Sequence, residues 1–331
     1  MFKLSFIAAA MSIATFGAHA EGMLALTNKN QLVQFDSANT VAGAVIDITG
    51  LNLAQGERLL GLDQRPSTGD FYTLSSAGRL FTLNATTGAA TFAGSLRADP
   101  TLGASGMAFS GLSGQVFGFD FNPVPDLGQT LPSLRVVSNT GQNLRVNVNG
   151  ANAGLVRVDT AINVVSANPS GVAPSVVASA YTNNDRDAAT GTRVYAIDAR
   201  GDALYEQTNA NAGTLSYVAD LKMLDMATGQ GALMGVNTTS VSAFDVSASG
   251  IAYASLTDEF TGDNWLFSVN LSGQQPSLTY LGLFGQAGVS LGSAVIGLTA
   301  TTAAPVPEPT SMALSLAALG LIGFGLRRRM A

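Results

Sequence analysis

Residues 59–94 read LLGLDQRPSTGDFYTLSSAGRLFTLNATTGAATFAG. Four short runs in this stretch, 59–63, 70–74, 79–83 and 89–93, are rich in Leu, Phe, Tyr, Thr and Ala. Between them lie Arg65-Pro66-Ser67-Thr68-Gly69, Ser76-Ala77-Gly78 and Thr86-Thr87-Gly88. Runs of this length bounded by glycine-containing turns predict β-strands joined as hairpins. Glycine closes each turn because it takes a positive φ without a Cβ clash. Side chains alternate along a strand, so Phe71-Tyr72 and Leu80-Phe81 put large groups on both faces. Both faces of this four-stranded sheet must be covered.

Working outward, the unit recurs. Gly118-Phe119-Asp120-Phe121-Asn122-Pro123 echoes Gly61-Leu62-Asp63-Gln64-Arg65-Pro66 and leads to runs at 134–138 and 143–146 across Asn139-Thr140-Gly141-Gln142. A further unit has runs at 176–181, 193–198, 203–207 and 214–219, and another at 243–246, 251–256, 265–270 and 278–281. Starts at Gly61, Gly118, Val176 and Ala243 are spaced about 55 to 65 residues apart, longer than the 20 to 30 of a β-solenoid and consistent with four strands per propeller blade. The N-terminal segment supplies only three strands, 23–27, 31–36 and 41–48, while 294–298 reads as the first strand of a unit. The expected fold is therefore all-β, a five-bladed propeller of four strands per blade in which the C-terminal strand completes the N-terminal blade. The competing arrangement is an all-β sandwich or a pair of them.

Composition narrows the chemistry. The 331 residues are 47% hydrophobic and 11% charged, with 37 Gly, no Cys and one histidine, His19. Absence of Cys excludes disulfides, thiolate metal sites and a cysteine nucleophile. Residues 1–20 have Lys3, an apolar run at 4–16 and Ala18-His19-Ala20, the pattern of a secretory signal peptide cut before Glu21. Cleavage there removes His19 and with it any Ser-His-Asp triad or histidine base.

At the other end, Val306-Pro307-Glu308-Pro309 precedes an apolar stretch at 312–326 and then Arg327, Arg328 and Arg329. A helix over 311–326 would extend roughly 24 Å, a short transmembrane helix, with its arginines held in the cytoplasm and Pro307 and Pro309 keeping the junction extended. This region resembles the PEP-CTERM sorting signal, which exosortases recognise in Gram-negative bacteria that make extracellular polysaccharide. The resemblance implies processing by signal peptidase and exosortase at Pro307, Glu308 and Pro309, and transient anchoring of a membrane precursor whose body lies outside the cytoplasm. Losing Lys3 and the three arginines takes the formal net charge from −6 to −10. A body this acidic offers no patch for nucleic acid.

Between the ends, Gly118 to Val146, the Gly61-Leu62-Asp63 unit with Tyr72-Thr73-Leu74, and Val177-Ala178-Ser179-Ala180-Tyr181-Thr182-Asn183-Asn184 resemble the DUF4394 domain. That resemblance covers most of 23–300, supports an extracytoplasmic propeller-like domain, and brings no activity with it. The chain thus divides into a signal peptide at 1–20, the propeller domain at 21–305 and the sorting signal at 306–331.

Asp120, Asn122, Asp126, Arg135, Asn143 and Arg145 form the densest polar group in the body. They read either as a ligand cradle, the arginines gripping a uronic acid and the carboxamides addressing hydroxyls, or as turn caps and ion pairs between blades. Asn183, Asp185 and Asp187 have the alternating oxygens of a calcium loop but lack a later bidentate Glu, so no cofactor is expected apart from calcium there. Catalysis would need a carboxylate pair or a Tyr/Arg proton abstraction, and Glu57, Glu206 and Glu259 sit in no motif. Asp63, Asp120, Asp198 and Asp245 recur singly and read as turn and strand-end devices. The expectation is an exported cell-surface or extracellular-matrix protein whose non-enzymatic propeller contacts polysaccharide or an envelope partner. The alternative is a periplasmic or secreted carbohydrate-active enzyme, a lyase or hydrolase.

Overall fold

Five antiparallel sheets stand around a common axis, each led by one buried strand. The computed structural model describes residues 20–105, 109–129, 132–166, 169, 171–225, 231–286 and 289–301. The transmembrane helix expected at 311–326 and the signal peptide lie outside these residues. Among the described residues no helix is long and apolar enough to cross a membrane.

The first blade holds β1 (Gly22–Thr27), β2 (Gln31–Asp36) and β3 (Asn39–Asp47), and the second holds β4 (Leu59–Gln64), β5 (Phe71–Ser75), β6 (Arg79–Leu83) and β7 (Ala90–Ser95). After the short β8 (Arg97–Ala98), the third blade follows with β9 (Phe117–Phe121), β10 (Leu134–Ser138), β11 (Asn143–Val146) and β12 (Leu155–Val158). Beyond β13 (Asn163–Ser166) comes the fourth, with β14 (Val176–Tyr181), β15 (Val194–Asp198), β16 (Ala203–Asn209) and β17 (Thr214–Asp220). A hairpin of β18 (Lys222–Leu224) and β19 (Leu233–Gly235) precedes the fifth blade, β20 (Thr238–Val246), β21 (Ala252–Asp258), β22 (Asn264–Val269) and β23 (Leu278–Leu283). The chain ends its fold with β24 (Gly285–Gln286), β25 (Val289–Ser290) and β26 (Val295–Ala300).

Closure follows the expected scheme. β26 pairs antiparallel with β1, Ala25 opposite Leu298 and Met23 opposite Ala300, and becomes the innermost strand of the first blade. The five inner strands pack in the cyclic order β4, β9, β14, β20, β26 and back to β4. Each of the five blade interfaces has its own apolar core. One example is Leu60, Tyr72 and Leu74 of the second blade against Phe119, Phe121 and Val136 of the third. Another is Met23 and Val33 of the first against Tyr253 and Leu266 of the fifth.

Among the described residues, the outer edges of the first, third and fourth blades are covered by the chain itself. β8 leaves the second blade and runs parallel to β12, β13 leaves the third and runs parallel to β17, and β24 leaves the fifth to lie parallel to β3. Each addition pairs backbone groups that an open edge would present to other chains.

The axis is packed tightly because small residues recur on it. Every inner strand carries a small residue two before its axial position: Gly61, Gly118, Ala178, Ala243 and Gly297. A Cβ on Gly118 would lie 2.7 Å from the Ser179 nitrogen, and one on Gly297 would lie 2.6 Å from the Leu62 nitrogen. Neighbouring backbones occupy the space a side chain would need.

Candidate ligand-binding site

Three arginines lie side by side across the third blade. Arg135 on β10 is directly opposite Arg145 on β11, Arg145 is opposite Arg157 on β12, and Asp120 on β9 is opposite Arg135. The turn at 139–142 thus closes a hairpin with both Arg135 and Arg145 on one face. Like charges placed directly opposite repel, so this row requires acids. Asp159, just beyond β12, supplies one: it accepts Arg145 Nε at 2.8 Å and Nη2 at 2.7 Å, and Arg135 Nη1 at 3.3 Å. Arg157 turns instead to Asp99.

The two central arginines differ in how far they are committed. Arg135 is buried, and all three of its nitrogens donate. Nε goes to the Tyr181 hydroxyl, Nη1 to Asn143 Oδ1 at 2.6 Å and the Ala210 carbonyl at 3.1 Å, and Nη2 to Asn211 Oδ1 at 2.8 Å. It ties the third blade to the fourth. Arg145 keeps 27% of its side chain exposed, and its Nη1 has no partner among the described residues. Two guanidiniums on one carboxylate leave a local charge of about +1.

These groups border a polar pocket of about 420 Å³ at the C-terminal ends of β9 and β14, lined chiefly by Asn122, Arg135, Arg145, Tyr181, Asn209 and Asn211. None of the described lining residues is a carboxylate. Pro125 and Pro132 form part of the wall. Asn122 reaches the pocket while capping the short helix α1 (Pro123–Leu127), its Oδ1 accepting the Val124 N–H. Asn143 stands behind Arg135, donating to the Thr160 and Ala210 carbonyls.

Asp126 and Asp120 go elsewhere. Asp126 is fully buried and accepts Arg65 Nε at 2.7 Å, the Ser67 N–H at 2.9 Å and the Ser133 hydroxyl at 3.0 Å, joining the second blade to α1. Asp120 turns to the axis, where Asp63 and Asp245 meet it with one oxygen of each within 4.8 Å of the others. Each of these acids fastens the next blade's inner strand. Asp63 accepts the Phe121 N–H at 2.8 Å, Asp120 the Tyr181 N–H at 2.9 Å, and Asp245 the Ala300 N–H at 2.6 Å. Thr299 continues the ring by donating to Asp63 at 3.0 Å, and Ala180 occupies the fifth position.

Burial pushes the Asp245 carboxyl up to about 6. Burial first, and then the charge of Asp245, holds Asp63 well above the carboxylate range; burial and the charges of both neighbours do the same to Asp120. Three anions cannot coexist in so small a dry volume, so the cluster retains protons. Its oxygens are donors of the kind calcium takes, but a calcium ion needs six to eight of them, and most of these already hold backbone N–H groups. The repeated small-apolar-Asp triplet was the sequence signal for this cluster. Asp198 is separate, capping the turn after β15 by accepting the Arg200 and Gly201 N–H groups.

The loop considered for calcium is built of local turns. Asp185 accepts the Asp187 N–H, Asp187 caps a short 3-10 turn by accepting the Ala189 N–H, and Asn183 donates to the Gly191 carbonyl. The sorting residues Pro307, Glu308, Pro309, Arg327, Arg328 and Arg329 lie outside the described residues.

Residues 31–291 match the Domain of unknown function (DUF4394). The chain belongs to the DUF4394 family. Residues 305–329 of this DUF4394 protein match the PEP-CTERM protein-sorting motif, which implies export and an exosortase-processed, membrane-anchored precursor. No curated protein matches it. Among solved structures it is similar to the glutaminyl cyclase of Myxococcus xanthus, at 14% identity and TM-score 0.41, covering 73% of this chain and 82% of that one. It is also similar to a protein of unknown function from Bacteroides caccae, at 10% identity and TM-score 0.40, covering 86% and 100%. A protein of unknown function from Bacteroides thetaiotaomicron VPI-5482 matches at 15% identity and TM-score 0.43, covering 88% and 62%.

Proposed function

We propose that this DUF4394 protein is a non-enzymatic surface or matrix protein that binds acidic polysaccharide in the pocket between its third and fourth blades. The observation that carries the reading is Arg145, which shares Asp159 with Arg135 and keeps Nη1 uncommitted at the mouth of that pocket. A uronate carboxylate would complete its donor set, while Asn122, Asn209 and Asn211 offer carboxamides to sugar hydroxyls. A cationic spot on a body with net charge near −10 selects for an anion. The sorting motif adds company, since exosortase systems accompany extracellular polysaccharide.

Two features favour binding over catalysis. A glycosidase uses two carboxylates beside the scissile bond, and the described lining offers none. A tyrosine base would need a lowered pKa, whereas burial pushes the Tyr181 phenol up. Titration of the purified protein with oligogalacturonate and with an uncharged oligosaccharide of equal length tests the reading. Saturable binding of the uronate alone, weakening with salt, is expected. Equal affinity for both, or binding of neither, contradicts it.

A further inference from the structure

The inner strands all run in one direction, because each residue meets the one following its equivalent in the next blade: Gly61 against Phe119, Gly118 against Ser179, Asp63 against Phe121. The arginine pocket lies at their C-terminal ends. At their N-terminal ends a second cavity of about 490 Å³ opens on the axis, bordered by Arg58, Leu59, Leu60, Val241, Ser242 and Ile296. It is a blind cup. Below it, the layer containing Gly61, Gly118 and Gly297 leaves a void of only about 10 Å³, room for about one water molecule at most.

Walls and rim differ in chemistry. Val241 and Ile296, both partly exposed, give the walls their apolar surface, with Leu59 and Leu60 buried behind them; Asn28, Gln115 and Ser240 also line the cavity, and no described lining residue carries a negative charge. The rim carries one cation, Arg58, which is exposed and donates one Nη2–H to the Gln115 carbonyl at 2.8 Å. It forms no ion pair among the described residues. The adjacent acid, Glu57, is already neutralised by Arg79, which reaches it at 2.8 Å through Nε and 2.6 Å through Nη2. Arg58 thus faces an apolar hollow with its charge unanswered.

We propose that the axial cup is a binding site for a small monocarboxylate with an apolar chain, its carboxylate on Arg58 and its chain against Val241 and Ile296. The chain leaves water, the source of non-polar binding energy. The guanidinium supplies a charge-assisted pair that a cation of the same shape cannot make. The site is separate from the polysaccharide pocket and stands or falls independently of it.

Isothermal titration of the purified protein with octanoate, octyltrimethylammonium and propionate tests this. Octanoate should bind saturably, with the cation and the short acid each at least about tenfold weaker. Arg58→Gln should weaken octanoate by at least about tenfold with an unchanged melting temperature. Val241→Trp, on the partly exposed wall, should block octanoate by filling the cup. Neither variant should alter oligogalacturonate binding. Equal affinity for octanoate and octyltrimethylammonium, an unaffected Arg58→Gln variant, or no saturable octanoate binding would each overturn the proposal.

Discussion

Replacing Asp245 with Asn should invert its effect on stability between acid and neutral pH. Asp245 ordinarily titrates at 3.8 and is pushed by burial to about 6 in the folded protein. The folded state therefore holds a proton that the unfolded chain has released. Its contribution is complete below pH 4 and is lost as pH rises through about 6. At about 1.36 kcal/mol per pH unit, the gap corresponds to about 3 kcal/mol. Asp245→Asn keeps the shape but never ionises, so it escapes that loss. It also gives up part of the double acceptance from Val246 at 2.7 Å and Ala300 at 2.6 Å, a cost of about 1 kcal/mol. The variant should be about 1 kcal/mol less stable than the native protein at pH 4 and about 2 kcal/mol more stable at pH 7.5. Urea denaturation followed by Trp265 fluorescence at both pH values measures the difference. Glu57, which Arg79 holds down at about 2, works in the opposite direction but is common to both proteins and cancels. Destabilisation of the same size at both pH values would refute the reasoning.

The buried Arg65–Asp126 pair predicts that Asp126→Ala costs about 3–5 kcal/mol, because Arg65 is left buried and the Ser67 N–H and Ser133 hydroxyl lose their acceptor; a denaturation midpoint within error of the native one would contradict this. Ending the chain after Ser293 removes β26, exposes the edge of β1 and uncovers the faces of β4 and β20. Val295 and Leu298 alone bury about 1.5–3 kcal/mol each, so this protein should be insoluble or melt far below the full chain, and equal melting temperatures would mean the ring does not close through β26.

Hairpin strands and glycine-containing turns made most of the fold readable, because each blade repeats the same local chemistry. Ring closure was readable because three N-terminal strands and one orphan strand add up to a blade. β12 escaped notice: it is only four residues long and follows Asn147-Val148-Asn149-Gly150, which has no strand texture. The hairpin of β18 and β19 likewise carries no repeat signal. Partner choice was harder than strand choice. Asp120, Asp126 and Asp159 all lie within reach of Arg135 along the chain, but Asp120, directly opposite it in register, turns to the axis and Asp126 goes to Arg65, so the partner is Asp159, which lies beyond the end of β12 and which no strand pattern points to. The axial cluster joins Asp63, Asp120 and Asp245 from three distant units. Each looks like an isolated strand-end acid until the repeats are superposed about an axis.

Paired variants of the two arginines test the central claim that this propeller presents a binding arginine beside a structural one. The measurement is the dissociation constant for oligogalacturonate, taken with the melting temperature, for Arg145→Gln and Arg135→Gln. Arg145→Gln leaves Asp159 still paired with Arg135, so its melting temperature should stay within a few degrees while uronate affinity falls by at least about tenfold. Arg135→Gln strips Tyr181, Asn143 and Asn211 of a buried partner and should lose about 3–5 kcal/mol of stability. Native affinity in Arg145→Gln, or a collapse of its stability with binding unchanged, would contradict the account.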